Sequence, residues 1–142
     1  MVTMGRKGRI EMEELCNLGL SDSTINCMLE MNPEIRKISN IEVIKKIRIL
    51  KELGCSDIQI RNIIGSNSIY LSRTTEEILA LIKCLLKYGF TTLNILFDSN
   101  PYILNLESFE IKNYINNRRD NGEELENIID DLESNPYLFS KV

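Results

Sequence analysis

Six basic residues form two clusters with the chemistry to bind phosphate groups. The first cluster is Lys45, Lys46, Arg48 and Lys51, and the second is Lys83 and Lys87. Ammonium and guanidinium groups along a helix bind a nucleic acid backbone, because they displace the counterions condensed on its phosphates. Such contacts position a duplex but read little of its base sequence. The alternative for each lysine is an exposed helix face whose charge is balanced by neighbours such as Glu42 and Glu52.

A second group of residues, near the end of the chain, is acidic and is followed by two aromatic side chains. Its members are Glu123, Glu124, Glu126, Asp130, Asp131, Tyr137 and Phe139. Clustered carboxylates can hold a metal ion or transfer protons, but these lie along one polar helix with no turn that brings them together. The pattern favours a solvated acidic face. Together with the aromatic residues, it is also a candidate contact for a basic protein partner or a second copy of the chain.

The chain contains no histidine, and this absence argues against most kinds of catalysis. Histidine is the commonest general base, the usual partner of a serine or cysteine nucleophile, and the commonest zinc ligand. Glycine-rich phosphate-binding motifs are also absent from the sequence. Its four cysteines, Cys16, Cys27, Cys55 and Cys84, are too widely spaced for a paired metal-binding motif. The sequence therefore predicts a non-enzymatic protein without catalytic residues, cofactor or metal, in a reducing, cytoplasmic compartment.

The net charge of −4 hides a difference between the two ends of the chain. Residues 1–90 carry 13 basic and 11 acidic side chains, whereas residues 91–142 carry 4 basic and 10 acidic ones. An acidic protein binds nucleic acid only through a local basic patch, since phosphates repel its overall charge. The basic clusters therefore have to supply that patch if nucleic acid is the ligand.

The elements that position these residues follow from an internal repeat of about 35 residues. Glycines 19, 54, 89 and 122 are followed 13, 13, 11 and 13 residues later by asparagines 32, 67, 100 and 135. Repeats of this length mark solenoids, in which each unit buries its apolar face against the next unit. The pattern predicts an all-α solenoid of about four units in a single domain over residues 10–142. Residues 1–9 are predicted to be a flexible basic arm.

Each predicted unit has a short first helix, an apolar turn and a longer second helix. Apolar residues lie seven, four and three positions before each asparagine, which places them on one face of the first helix. The one break in this pattern is Asp131, four positions before Asn135. The second helix carries apolar residues 10, 7, 4 and 1 positions before the next glycine. The two examples are Ile44, Ile47, Leu50 and Leu53, and Leu79, Ile82, Leu85 and Tyr88. Arg48 and Lys83 share the position six before the glycine, so they are predicted to stack in one basic column.

The pattern weakens in the last unit. Arg118 and Asn121 replace the leucine and tyrosine of other units, which makes this junction less apolar. Phe109, Ile111, Tyr114 and Ile115 are expected to compensate in part. We therefore expect the helix over residues 123–132 to be the least stably packed. Cys55 stands where Leu20 and Phe90 stand in sister units, which predicts a small buried side chain.

The repeat resembles that of the mitochondrial transcription termination factors, the mTERF family. Leu18-Gly19-Leu20-Ser21 and Leu53-Gly54-Cys55-Ser56 carry the resemblance, and Pro33, Pro101 and Pro136 stand where that repeat has its proline. The resemblance implies a curved superhelix whose positive inner groove binds duplex DNA or RNA. This chain departs from the pattern in having about four units, with Ser68 in place of one proline and a third unit that is two residues short.

These observations favour a helical-repeat module that binds nucleic acid through a basic column on its second helices. A protein-binding adaptor or inhibitor, which uses the solenoid face or the acidic last unit, remains the alternative. Self-association is a third reading. No apolar run of 18 or more residues occurs in the sequence, so a membrane is not among the expected partners.

Overall fold

The computed structural model describes residues 13–134, and every regular element in this range is a helix. The all-α prediction is confirmed. The chain divides into two compact units, residues 1–72 and residues 73–142. The single domain over residues 10–142 stays a prediction, and the basic arm over residues 1–9 lies outside the described residues.

The first unit contains five α-helices and one 3-10 turn. They are α1 (Glu13–Leu18), α2 (Asp22–Met31), the 3-10 helix η1 (Pro33–Lys37), α3 (Asn40–Glu52), α4 (Asp57–Ser66) and α5 (Ile69–Ser72). The long helix α3 packs against α1, α4 and α5, and α2 packs against η1 and α4. The first helices and apolar turns of the first two predicted repeats, and the second helix of the first, are therefore present in this unit.

The second unit repeats the same order of elements. They are α6 (Thr75–Lys87), α7 (Leu93–Ser99), the 3-10 helix η2 (Pro101–Asn105), α8 (Ser108–Asp120) and α9 (Leu125–Ser134). The second helices α6 and α8 pack against each other, and α9 packs against both α7 and α8. Helix α9 begins two residues later than the sequence pattern predicts. None of the helices in residues 13–134 is long and apolar enough to cross a membrane.

The repeat glycines end helices by adopting a left-handed backbone. Their φ angles are +107° at Gly19, +97° at Gly54, +103° at Gly89 and +90° at Gly122. The residue after each glycine donates its N–H to a carbonyl five residues earlier, as from Leu20 to Leu15 at 3.1 Å and from Phe90 to Leu85 at 3.2 Å. This bond closes the end of the helix around a residue without a side chain, which explains why glycine recurs there.

Replacing Gly19 by alanine should cost more stability than replacing Gly122. Both changes force an alanine into a left-handed backbone, which costs about 1–2 kcal/mol. A Cβ at Gly19 would also lie 2.7 Å from a guanidinium nitrogen of Arg61, whereas a Cβ at Gly122 meets nothing within 4 Å. Arg61 would have to move and lose its 2.9 Å bond to the carbonyl of Leu18. We expect Gly19→Ala to lower the free energy of unfolding by about 1 kcal/mol more than Gly122→Ala.

Urea unfolding followed by circular dichroism measures this difference, and an Arg61→Ala background provides the control. The extra cost of Gly19→Ala should disappear in that background, because the two changes act through one contact. Equal costs of the two alanines in the wild-type background would contradict the role given to Arg61.

The asparagines of the repeat end the first helices with one shared backbone conformation. Asn32, Asn67 and Asn100 have φ near −140° and ψ between 73° and 79°, and each donates its N–H to the carbonyl four residues earlier. The side chain of Asn32 also reaches into the next repeat of its unit. Its amide donates to Ser72 Oγ at 2.8 Å, which ties the end of α2 to the end of α5.

The first helices bury the predicted apolar triplets. These are Ile25, Met28 and Leu29 in α2, Ile60, Ile63 and Ile64 in α4, and Leu93, Leu96 and Phe97 in α7. In α9, Ile128 and Leu132 are buried and Asp131 is exposed, as the break in the pattern indicated. Cys55 is buried, which confirms the prediction of a small core side chain.

In the second helices, the first buried position lies one residue earlier than predicted. Leu79 is 49% exposed and Ile44 is only half-buried, whereas the residues one place earlier, Val43 and Ile78, are completely buried. The true core positions lie 11, 7 and 4 residues before the glycine, a spacing of four and three that follows one face of a helix. Ile111 is completely buried at the same position of α8.

The last junction of the second unit is held in part by an ion network. Arg118 donates from Nε to Glu123 at 2.9 Å and from a terminal nitrogen to the Tyr114 hydroxyl at 2.6 Å, and it also pairs with Asp131. Ile115 is buried beside this network, as expected. The expectation that Phe109 compensates for the missing leucine is wrong. Its side chain is 61% exposed, because it lies on the face of α8 opposite the core positions.

Candidate nucleic-acid interface

Helix α3 presents three cations on the surface of the first unit. Lys45, Arg48 and Lys51 are all exposed, because the opposite face of the helix is buried in the core. Lys45 lies 3.3 Å from Glu42, and the hydrogen bonds from Lys45 and Lys46 hold the pKa of that carboxyl below its usual range. The buried apolar side chains of α3 recur every three or four residues, so the side chains between them face the solvent.

Lys46 is not part of this surface. It is only 3% exposed, and its ammonium lies 3.4 Å from a carboxylate oxygen of Glu42. Its backbone carbonyl accepts a 2.7 Å bond from the hydroxyl of Tyr70, whose pKa is raised by burial. A lysine at this position lies one turn along α3 from the buried Val43 and Leu50, so its side chain enters the core face. Lys46 therefore cannot contact a phosphate in this conformation.

The second unit presents Lys83 and Lys87 on the exposed face of α6. Helix α8 presents an exposed lysine that the sequence pattern missed, Lys112. Lys112 lies one turn from both Ser108 and Asn116, and these two residues contact Cys84 and Tyr88 of α6. Lys112 is therefore on the side of α8 that borders α6. Burial raises the pKa of the Cys84 thiol, and the positive charges of Lys112 and Lys87 oppose that rise.

Two hydrogen bonds fix α6 and α8 together beneath these cations. The Tyr88 hydroxyl donates to the side-chain oxygen of Asn116 at 3.4 Å, and the Cys84 thiol lies 3.7 Å from the carbonyl of Ser108. Lys112 stands ten residues before Gly122, the repeat position held by Leu79 in the preceding helix. The repeat pattern of the sequence therefore includes this position. The predicted basic column used only the position six before the glycine, which Asn116 occupies in α8. The stacking of Arg48 with Lys83 stays a prediction.

The acidic residues near the end of the chain divide into two groups. Glu123 and Asp131 pair with Arg118, which lowers the pKa of Glu123 and raises that of Arg118. Glu124, Glu126 and Asp130 are exposed. Tyr137 and Phe139 lie outside the described residues. Within residues 13–134, no three or more His, Cys, Asp or Glu side chains are arranged to hold a metal ion.

A shallow polar groove of about 360 Å³ lies between the start of α2 and the end of α4. Its lining includes Ser21, Thr24, Asn62 and the guanidinium of Arg61. The Ser21 hydroxyl accepts from the backbone N–H of Thr24 at 3.1 Å and so caps α2, and Arg61 donates to the carbonyl of Leu18. The polar groups of this groove thus hold the first turn of the repeat in place.

Comparison with known proteins agrees with the helical repeat described above. The family model named mTERF matches residues 5–129, which is most of the chain. No curated protein and no solved structure shows a significant match. The matched range includes every helix of both units except the end of α9. The chain therefore belongs to the mTERF family.

Proposed function

We propose that this protein is a non-enzymatic helical-repeat module that binds nucleic acid through exposed cations of its second helices. The first unit contributes Lys45, Arg48 and Lys51, and the second contributes Lys83, Lys87 and Lys112. The observation that carries the proposal is that Lys83, Lys87 and Lys112 are all exposed on two helices of one unit, which bond to each other through Tyr88 and Asn116. Like charges repel, so a surface that gathers them suits a polyanionic ligand. The family to which the chain belongs supports the same ligand class.

Binding on these surfaces would be driven by the release of counterions from the phosphates. Each phosphate neutralised by a lysine or arginine adds about −0.9 to the slope of log affinity against log salt for duplex DNA. Three such contacts, the number that each unit offers, would weaken binding about 40-fold between about 50 and 200 mM salt. Contacts of this kind fix position along the backbone and carry little sequence preference.

Fluorescence anisotropy with labelled duplex DNA, duplex RNA and single strands tests the proposal. Replacing Lys83, Lys87 and Lys112 together by glutamine should reduce the salt slope on duplex DNA by about three units, because three phosphate contacts are lost. Replacing Lys45, Arg48 and Lys51 by glutamine should have an effect of the same size. Each set of changes is confined to one compact unit.

The matched control is Arg36→Gln with Lys37→Gln, which removes exposed charge from η1 but leaves the second helices unchanged. This control should keep the wild-type salt slope. Equal loss of affinity in the control and in the two sets would mean that net charge, and not a surface, governs binding. Absence of binding to every probe at the lowest salt would reject the proposed function. It would leave the exposed acidic residues of α9 as the contact for a protein partner.

A further inference from the structure

The exposed face of α8 carries an aromatic residue among polar and basic ones. Phe109, Lys112, Asn113 and Asn116 are spaced by three, four and seven residues, which puts them on one side of the helix. All four are exposed, and Phe109 is exposed by 61%. Ile111 and Ile115 occupy the opposite side and are completely buried. The core of the unit is thus filled without Phe109.

We propose that this face binds single-stranded nucleic acid, with an unpaired base stacked on the ring of Phe109 and a neighbouring phosphate on Lys112. The inference rests on the proposed function and names its ligand more narrowly. Exposed aromatic rings beside cations suit single strands, since every base has a face that stacks and every nucleotide has a charged phosphate. Paired bases within a duplex are already stacked on both sides, so a ring on a helix surface gains little from them.

The charges around the ring favour this ligand over an apolar protein surface. Lys112 follows Phe109 by one turn, and Lys87 precedes Tyr88, whose hydroxyl donates to Asn116 on this face. The nearest carboxylate on α8, that of Glu110, is held at the start of the helix, where it accepts the backbone N–H of Glu107 at 3.0 Å. Positive charge beside an exposed aromatic ring complements a phosphate beside a base.

The two asparagines supply groups that can bond to base edges. Asn116 accepts from the Tyr88 hydroxyl through its side-chain oxygen, so its NH₂ group is directed away from that bond. Asn113 is exposed one turn after Phe109. Amide side chains pair with the donor and acceptor groups of unpaired bases, which a duplex conceals. They are positioned to add base contacts to the stacking interaction.

The test compares Phe109→Ala with Phe109→Trp on three probes. The probes are a labelled 12-nucleotide thymidine strand, the same strand with abasic sites throughout its centre, and a duplex. Phe109→Ala should weaken binding to the thymidine strand about 5- to 100-fold, whereas Phe109→Trp should keep it. Both variants should bind the abasic strand and the duplex as the wild-type protein does, because neither change removes a charge.

The control is Ile95→Ala, which removes an exposed apolar side chain from α7 in the same unit and should leave all three affinities unchanged. Circular dichroism should show wild-type helicity for every variant, since Phe109 lies outside the core. Equal affinity of the wild-type protein for the thymidine and abasic strands would overturn the inference. So would an unchanged affinity in Phe109→Ala.

The glutamine set at Lys83, Lys87 and Lys112 separates this inference from the proposed function. If the glutamine variant loses binding to all probes and Phe109→Ala has no effect, nucleic acid binding is supported and base stacking on Phe109 is rejected. Loss of binding to the thymidine strand alone in Phe109→Ala would support both. Absence of binding by the wild-type protein to every probe would reject both.

Discussion

Replacing Arg73 by methionine should lower the free energy of unfolding by about 2–5 kcal/mol. Arg73 is only 7% exposed and donates to the carbonyls of Leu104 and Leu106 at 2.6 and 2.7 Å. Its guanidinium also lies 3.2 Å from the carboxylate of Glu107. Methionine keeps much of the side-chain volume but donates no hydrogen bond. Two carbonyls at the end of η2 would then lose their partner, and buried acceptors without partners are costly.

Urea denaturation of Arg73→Met and of Arg119→Met measures this effect. Arg119 is an exposed arginine of the same unit, so its replacement should change stability by no more than about 0.5 kcal/mol. Arg73→Lys should fall between the two, since lysine keeps the charge but cannot bond to both carbonyls in the planar geometry of arginine. A cost for Arg73→Met as small as that for Arg119→Met would show that the buried guanidinium contributes little to stability.

Replacing Ile64 by alanine should cost about 2–5 kcal/mol, the range for a large-to-small change in a packed core. Ile64 is completely buried in α4, which packs against both α2 and α3. Ile128→Ala should cost less, although Ile128 is also completely buried. The junction beside Ile128 is held in part by the ion network of Arg118, where α3 and α6 have the buried leucines Leu50 and Leu85. Apolar contact therefore carries less of its stability.

Thermal and urea unfolding of the two variants give this ranking directly. Ile58→Ala is the control for Ile64→Ala, because Ile58 lies on the same helix and is 60% exposed. Its replacement should have a small effect. If Ile128→Ala proved as costly as Ile64→Ala, apolar contact would carry as much of the stability at this junction as it does in the first unit, which contradicts the ranking.

The sequence alone determined the repeat, the ends of the helices and the core of the first helices. Those features depend on local backbone chemistry. A glycine adopts a left-handed φ at Gly19 as readily as at Gly122, whatever packs nearby. Spacings of three and four residues place side chains on one helix face without reference to other helices. The same local rules allowed the mTERF resemblance to be recognised from a few residues around each glycine.

Only the tertiary structure decided which side chains of the second helices reach the surface. Successive residues on a helix differ in direction by about 100°, so an error of one position moved Leu79 from the expected core to an exposed face. Lys46 was expected on the surface and is buried, and Phe109 was expected to contribute to the core and is exposed. The partners of Arg73 and Arg118 lie far along the chain or across a turn, so the spacing of residues in the sequence does not predict them. Such contacts exist only once the helices have packed, because packing sets which carbonyls and carboxylates a guanidinium can reach.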